Sequence, residues 1–261
     1  MSNARALTAL TKTLKPLDGY ALALGDDALI FSHRLSEWLT RAPDLEEEVA
    51  LANIALDQLG QARFLLGFAG RSSGLSEDEL AYQRVDREYR NSLLAELPNG
   101  DFAHTILRLL FFSTYQRLLY AGLAGCADGE LAAFAVKAAT EVGYHHEYAV
   151  SWTLRLGDGT EESHDRAAAA LAELWPYTAE LFAVDEDVAL LAAEGLAPDP
   201  EALAGPWSEQ VGSVLAQATL GTAPSGTWRP SGGRAGLHTE ALGFLLAEMQ
   251  SVHRAHPGAT W

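Results

Sequence analysis

The segment from Thr140 to Tyr148 gathers Glu141, Tyr144, His145, His146 and Tyr148 inside one helical pattern. Leu131, Phe134, Ala138, Val142, His145, Ala149, Trp152 and Leu156 recur at three- and four-residue steps, the spacing of a buried helix face. Glu141 and His145 stand one turn apart at the edge of that stripe, so their side chains point the same way. A carboxylate and an imidazole turned into a helical core are costly unless paired, protonated or bound to metal. The chemistry to test is therefore a metal centre of carboxylates and imidazoles.

Acids on other helices are the possible partners. In antiparallel helix pairs, residues equally far from the connecting turn share a height. A first pair turns near Ala42-Pro43, with Asp57 about four turns beyond it and Asp26-Asp27 about as far before it. A second pair turns near Cys126, with Glu141 about four turns beyond it and Ser113 slightly less before it. Acids at one height in a four-helix core are the layout of carboxylate-bridged dinuclear metal proteins, which take one acid from each of two helices and a Glu-x-x-His from each of the other two. The set is incomplete. Gly60 stands three residues after Asp57, Tyr144 stands three after Glu141, and the third helix offers Ser113 and Thr114 in place of an acid. Asp26, Asp57, Glu141 and His145 are thus read as a vestigial pocket, without a catalytic, cofactor-binding or metal-ligating role for any of them. Asp57 can equally be a structural group held by Gln61, Asn53 or one of Arg34, Arg63 and Arg108. Tyr144 and Tyr148 are more simply packing residues than radical carriers.

The elements that must position these groups are helices. The pattern predicts helices over Asp18–Thr40, Leu45–Phe68, 77–95, Phe102–Ala121, 131–156, His164–Ala183 with a kink at Pro176, Pro200–Leu220 and Leu237–His253. Asp44, Ser76 with Glu79, and Asp101 are the expected caps. Helix 45–68 is apolar nearly all round, which predicts burial at the centre of a bundle. Residues 1–17 read as a tail or short frayed helix. Sustained period-two alternation is absent, so the expectation is an all-α chain of six to eight helices in one domain over residues 1–261. Ser225 to Arg234 is a glycine-rich, basic loop that could hold a phosphate, though an ordinary surface loop explains it as well.

Composition narrows the function classes. The 35 acidic against 18 basic residues give a formal net charge of −17, which repels nucleic acid and anionic membrane. Cys126 is the single cysteine, which excludes internal disulfides and a thiolate cluster and suits a reducing cytoplasm. The sequence has no signal-peptide core and no apolar run long enough to span a bilayer. It also has no nucleophile elbow, P-loop or dinucleotide-binding glycine signature.

Several segments carry a family resemblance. They are Leu22 to Asp27, Leu51 to Arg63, Pro98 to Ala103, Leu174 to Phe182 and Gly236 to Gln250. In order and spacing these resemble the C subunits of bacterial phenylacetyl-CoA epoxidase, over essentially Tyr20 to Trp261. The resemblance implies a ferritin-like four-helix bundle with additional C-terminal helices. It implies a cytoplasmic, non-catalytic member of a multicomponent oxygenase that epoxidises the ring of phenylacetyl-CoA in phenylacetate breakdown. The partners implied are a catalytic A subunit holding the di-iron and a reductase, with no cofactor bound by this chain. Two other readings stay open: a self-sufficient metalloenzyme with an atypical Asp57/Glu141/His145 site, and a homo-oligomeric helical scaffold.

Overall fold

The computed structural model describes residues 14–222 and 224–259; most of the expected N-terminal tail lies outside them. Among the described residues every regular element is helical. In order these are α1 (Pro16–Ser36), α2 (Leu45–Gly70), α3 (Glu77–Tyr82), a 3-10 turn (Asp86–Glu88), α4 (Leu93–Glu96), α5 (Phe102–Leu123), α6 (Gly129–Gly157), α7 (Glu161–Leu174), a 3-10 stretch (Trp175–Phe182), α8 (Glu186–Ala193), α9 (Pro200–Gln217), a 3-10 turn (Gly233–Ala235), α10 (Glu240–Met249) and α11 (Ser251–Ala255). The all-α class stands, with more helices among the described residues than the pattern suggested, because the expected elements over 77–95 and 164–183 are divided while the helices over 45–68, 102–121 and 131–156 are slightly longer than expected. None is long and apolar enough to cross a membrane among the described residues.

The chain gathers into two compact units, one made of residues up to Pro98 with those from Ser231 onward, the other of Asn99–Pro230. In the first, α1 and α2 are antiparallel. Ser32 Oγ donates to Ala55 O at 2.7 Å, and Gly25 lies so close to Leu66 that an added Cβ would stand 2.9 Å from its Cδ2. The short connection works because Asp44 caps α2, accepting from Glu47 N at 3.0 Å. In the second unit α5 and α6 are antiparallel, with Phe102 edge-on to Trp152 and Tyr120 edge-on to Phe134. Asp101 caps α5 and Asp128 caps α6. Trp207 of α9 closes this core against Phe111, Trp175 and Phe182, and its indole N–H donates to Phe111 O at 2.9 Å.

Three departures have physical causes. The helix expected over 77–95 stops at Tyr82, because the backbone N–H groups of Arg90 and Ser92 bond to the carboxylates of Asp26 and Asp27 instead of to helical carbonyls. Helix 164–183 ends at Leu174, where Pro176 cannot donate and the chain tightens into a 3-10 stretch. Helix α2 is not wrapped on all sides, since Leu45, Val49 and Leu56 face solvent.

Candidate functional site

Buried acids on α1 set the electrostatic problem of the first unit. Asp26 and Asp27 are adjacent and both buried. An ionised carboxylate in such a place must be compensated. Arg84, whose side chain is fully buried, grips both Asp26 oxygens with its two terminal nitrogens. Arg90 N donates to Asp26 Oδ2 at 2.8 Å. The rest of the guanidinium is also satisfied: Nε donates to Leu80 O, Nη1 to Glu88 O at 3.0 Å, and the Tyr89 ring lies 4.2 Å from Cζ. Burial pushes the Tyr89 phenol well above its usual range, so it stays protonated and donates to Ala81 O.

Asp27 has its own cation. Arg234 Nη2 reaches Asp27 Oδ2 at 2.6 Å, and Ser92 N donates to Oδ1 at 2.6 Å. Burial raises the Asp27 pKa, opposed by the Arg234 charge and hydrogen bond. Arg234 also donates to Ala23 O and Arg90 O, so it is committed to the core and is not a phosphate ligand of the glycine-rich loop. The turn that delivers it needs Gly236, at φ +79°, because an added Cβ would stand 2.3 Å from Arg87 O.

A third buried acid, Glu96, completes the network. Its Oε2 accepts from Asn91 Nδ2 at 2.8 Å and from His238 Nδ1 at 2.7 Å, and its Oε1 accepts from Thr239 N at 2.6 Å. The other His238 nitrogen lies 3.1 Å from Tyr89 O. Both ring nitrogens thus face acceptors, the arrangement of an imidazolium. Burial opposes that charge, yet the Glu96 hydrogen bond and charge raise the His238 pKa above its ordinary value.

The four residues singled out from sequence are placed differently. Asp26 is buried and held by Arg84. Asp57 is only half-buried, and since Ser32 lies beside Ala55 it is level with residues near Ser32, about 7 Å along the helix from Asp26. Glu141 is partly exposed and pairs with Lys137 at 3.5 Å. His145 is buried. Its neighbour His146 is half-buried, with Nδ1 3.2 Å from Thr114 Oγ1; since Thr114 donates to Leu110 O, His146 is the donor of that bond. Burial, then the Arg117 charge, lowers the His146 pKa to about 4, so this ring is neutral.

The positions where spacing from Asp57 and Glu141 asked for imidazoles, Gly60 and Tyr144, both face solvent. The core-facing pairs three residues apart are instead Gln58 and Gln61 on α2, and Val142 and His145 on α6. A Glu-x-x-His pair aimed inward would have to begin at Gln58 and at Val142. Those positions hold a neutral amide and an alkyl group, and Ser113 and Thr114 are the buried hydroxyls of α5. Among the described residues no three His, Cys, Asp or Glu side chains gather as a metal-binding group. In the first unit Asp26 is saturated by a guanidinium that repels a cation, and Gln58 and Gln61 offer neutral amides where carboxylate and imidazole donors would be needed.

Sequence reasoning missed the core roles of Arg84 and of Arg234, the latter read as part of a possible phosphate-holding loop, and those of Glu96 and His238. A signal existed for the first two, because tandem acids on a buried stripe demand two cations. Nothing in local spacing indicates which arginine supplies each. Two of the arginines named for Asp57 have other visible bonds: Arg63 pairs with Glu77 at 3.5 Å, and Arg34 holds Glu37 at 2.6 Å.

Comparison with known proteins agrees with this architecture. Residues 3–261 match the family model PaaA_PaaC, phenylacetic acid catabolic protein. The chain is 44% identical over 249 residues to the C subunit of 1,2-phenylacetyl-CoA epoxidase from Escherichia coli (strain K12), covering 95% of this chain and 100% of that relative.

Proposed function

The chain belongs to the phenylacetic acid catabolic protein family, and on that premise we propose that it is the non-catalytic structural subunit of a multicomponent oxygenase that epoxidises the ring of phenylacetyl-CoA. Its partner in this reading is the catalytic A subunit, which holds the di-iron, with a reductase supplying electrons in the cytoplasm. The chain acts as one ferritin-like framework that pairs with and stabilises that subunit. The observation that carries the reading is the substitution of Gln58, Gln61 and Val142 at core-facing positions where a di-iron protein needs acids and an imidazole. The 44% identity to a chain named as a subunit supports assembly with others.

The test is co-expression with a catalytic A-type subunit, metal analysis of each purified chain, and turnover of phenylacetyl-CoA by the reconstituted complex. The expected result is iron in the partner, none at stoichiometric level in this chain, and no turnover by this chain alone. About two irons per chain here, with redox-active absorption, would replace the reading with a self-sufficient metalloenzyme. A chain that never co-purifies with the catalytic subunit would be a homo-oligomeric scaffold instead.

A further inference from the structure

The connection from α3 to α4 cannot hold itself. Residues 83–96 contain one 3-10 turn and a single four-residue helix, pieces too short to be stable alone. Many of their polar groups therefore take partners from elsewhere. On one flank α1 supplies them. Asp26 and Asp27 accept from Arg90 N and Ser92 N, and Arg34 Nε donates to Glu96 O at 2.9 Å.

On the other flank the partners come from residues 234–254. Arg234 Nη1 donates to Arg90 O at 2.9 Å, His238 bonds Glu96 and Tyr89 O, and Thr239 N donates to Glu96 Oε1. Farther along, the amide nitrogen of buried Gln250 lies 3.1 Å from each of Ala81 O, Arg84 O and the Tyr89 hydroxyl. Arg254 adds a second donor to Arg84 O at 3.2 Å, and the His253 ring stacks on Tyr82 with centroids 5.1 Å apart. This attachment is mainly polar: α10 buries Leu242, Leu245 and Leu246, while α11 buries no residue. Segments with few buried apolar side chains open locally before the unit around them unfolds.

We propose that residues 231–255 form a strap that opens and closes in one piece with the connection 83–96, leaving the α1–α2 pair folded, and that His238 is its latch. The coupling follows from which groups hold which. Lifting the strap takes the Arg234 donor from Arg90 O, the same cation from Asp27, and two of the three donors named above from Glu96. Buried polar groups stripped of partners must reach water, so the connection leaves with the strap. The latch follows from the ring. As an imidazolium His238 donates to both Glu96 and Tyr89 O; as a neutral ring one nitrogen becomes an acceptor facing an acceptor, and one bond is lost. The charged groups around it are Glu96 from α4, Arg90 from the connection, Asp26 and Arg34 from α1, and Glu240 beside it on α10. Arg90 shares the Tyr89 carbonyl at 2.7 Å, Asp26 is held by Arg84, and Arg34 donates to Glu96 O and Ala241 O; only Glu96 among the acids bonds the ring.

Hydrogen–deuterium exchange of the full-length chain, read by mass spectrometry and normalised to unstructured rates, tests this. Burial lowers the His238 pKa, but the Glu96 bond and charge outweigh it and raise the value. The latch therefore holds below about pH 6.5 and loosens as pH rises through the folded value. Peptides from 83–96 and 231–255 should share one protection factor, well below that of α2. That shared factor should be about fivefold lower at about pH 9 than at about pH 6, the effect of one hydrogen bond. His238→Gln should remove most of this difference. Gln250→Ala should lower protection of both segments in step by about tenfold and leave α5 and α6 unchanged. The proposal is overturned if 83–96 stays protected while 231–255 exchanges, or if both exchange only together with α2. It is equally overturned if wild type shows no pH difference or if His238→Gln retains it. Should His238→Gln lose its far-UV circular dichroism, the wild-type pH comparison and Gln250→Ala still decide the outcome.

Discussion

Replacing Arg84 by Met isolates what the buried cation contributes. Arg84→Met keeps most of the side-chain volume but leaves Asp26 as a buried carboxylate whose remaining visible donor is Arg90 N. It also strips the donors from Leu80 O and Glu88 O. Breaking a buried pair from one side costs about 3–5 kcal/mol, because the stranded charge keeps its desolvation penalty. Against a total stability of roughly 5–15 kcal/mol, that is a large share. In urea denaturation followed by far-UV circular dichroism, the midpoint should fall by roughly 1–2 M. The double variant Arg84→Met/Asp26→Asn should be more stable than Arg84→Met alone, since removing the stranded charge removes most of the penalty. The reasoning fails if Arg84→Met costs less than about 1 kcal/mol, the scale of an ordinary hydrogen bond. It also fails if Asp26→Asn adds its full single-variant cost on top, because the two groups would then be uncoupled.

The remaining predictions concern other buried groups. Gln58→Glu places a carboxylate at a fully buried position and should cost about 2–4 kcal/mol at neutral pH; the loss should shrink as pH falls toward about 5, which paired urea titrations would reveal. His238 has a folded pKa above its unfolded value near 6.5, so its clamp on Glu96 is complete below about pH 6.5 and weakens as pH rises through the folded value. His238→Gln should therefore lose more stability at about pH 6 than at about pH 9, and equal losses at both would contradict the imidazolium assignment. His104 and His146 have pKa values lowered to about 4 by burial, so stability should fall as pH drops from about 6.5 toward 4. Nuclear magnetic resonance titration of the two imidazoles would expose an error if either titrates near its ordinary value of about 6.5. Asp57→Asn and His145→Ala should reduce turnover of the reconstituted complex only as far as they reduce assembly, and a fully assembled but inactive variant would contradict a structural role.

The helical class, the three expected caps and the long antiparallel pairs were legible because each depends on local spacing and on side chains that bond within a turn. Asp44, Ser76 with Glu79, and Asp101 accept the N–H groups their positions require. The second helix pair was also legible in register: Phe102 meets Trp152 and Tyr120 meets Phe134, which sets Glu141 level with Ser113 as the turn at Cys126 implied. What local spacing could not supply was facing. Asn53, Asp57 and Gln61 stand four apart, but each such step rotates about 40° around the helix. The three therefore pass from exposed through half-buried to buried, and the core position belongs to Gln61, not Asp57. The arginine partners lie at long range, 58 residues from Asp26 to Arg84 and 207 from Asp27 to Arg234. No periodicity encodes a contact of that kind.

The network around Asp26 explains how buried acids in a bundle of this class can be neutralised by side chains alone. Buried carboxylates in a helical core need positive charge, and either a metal ion or a guanidinium can provide it. Arg84 meets Asp26 on both oxygens, and Arg234 and His238 meet Asp27 and Glu96. These three cations tie α1 and α4 to residues far along the chain, which a metal ion held by helical side chains alone would not do. The consequence is directional. Adding an acid at Gln58 would bury a further carboxylate in this unit while Arg84 stays committed to Asp26, so the new group would have to find its own cation or stay protonated.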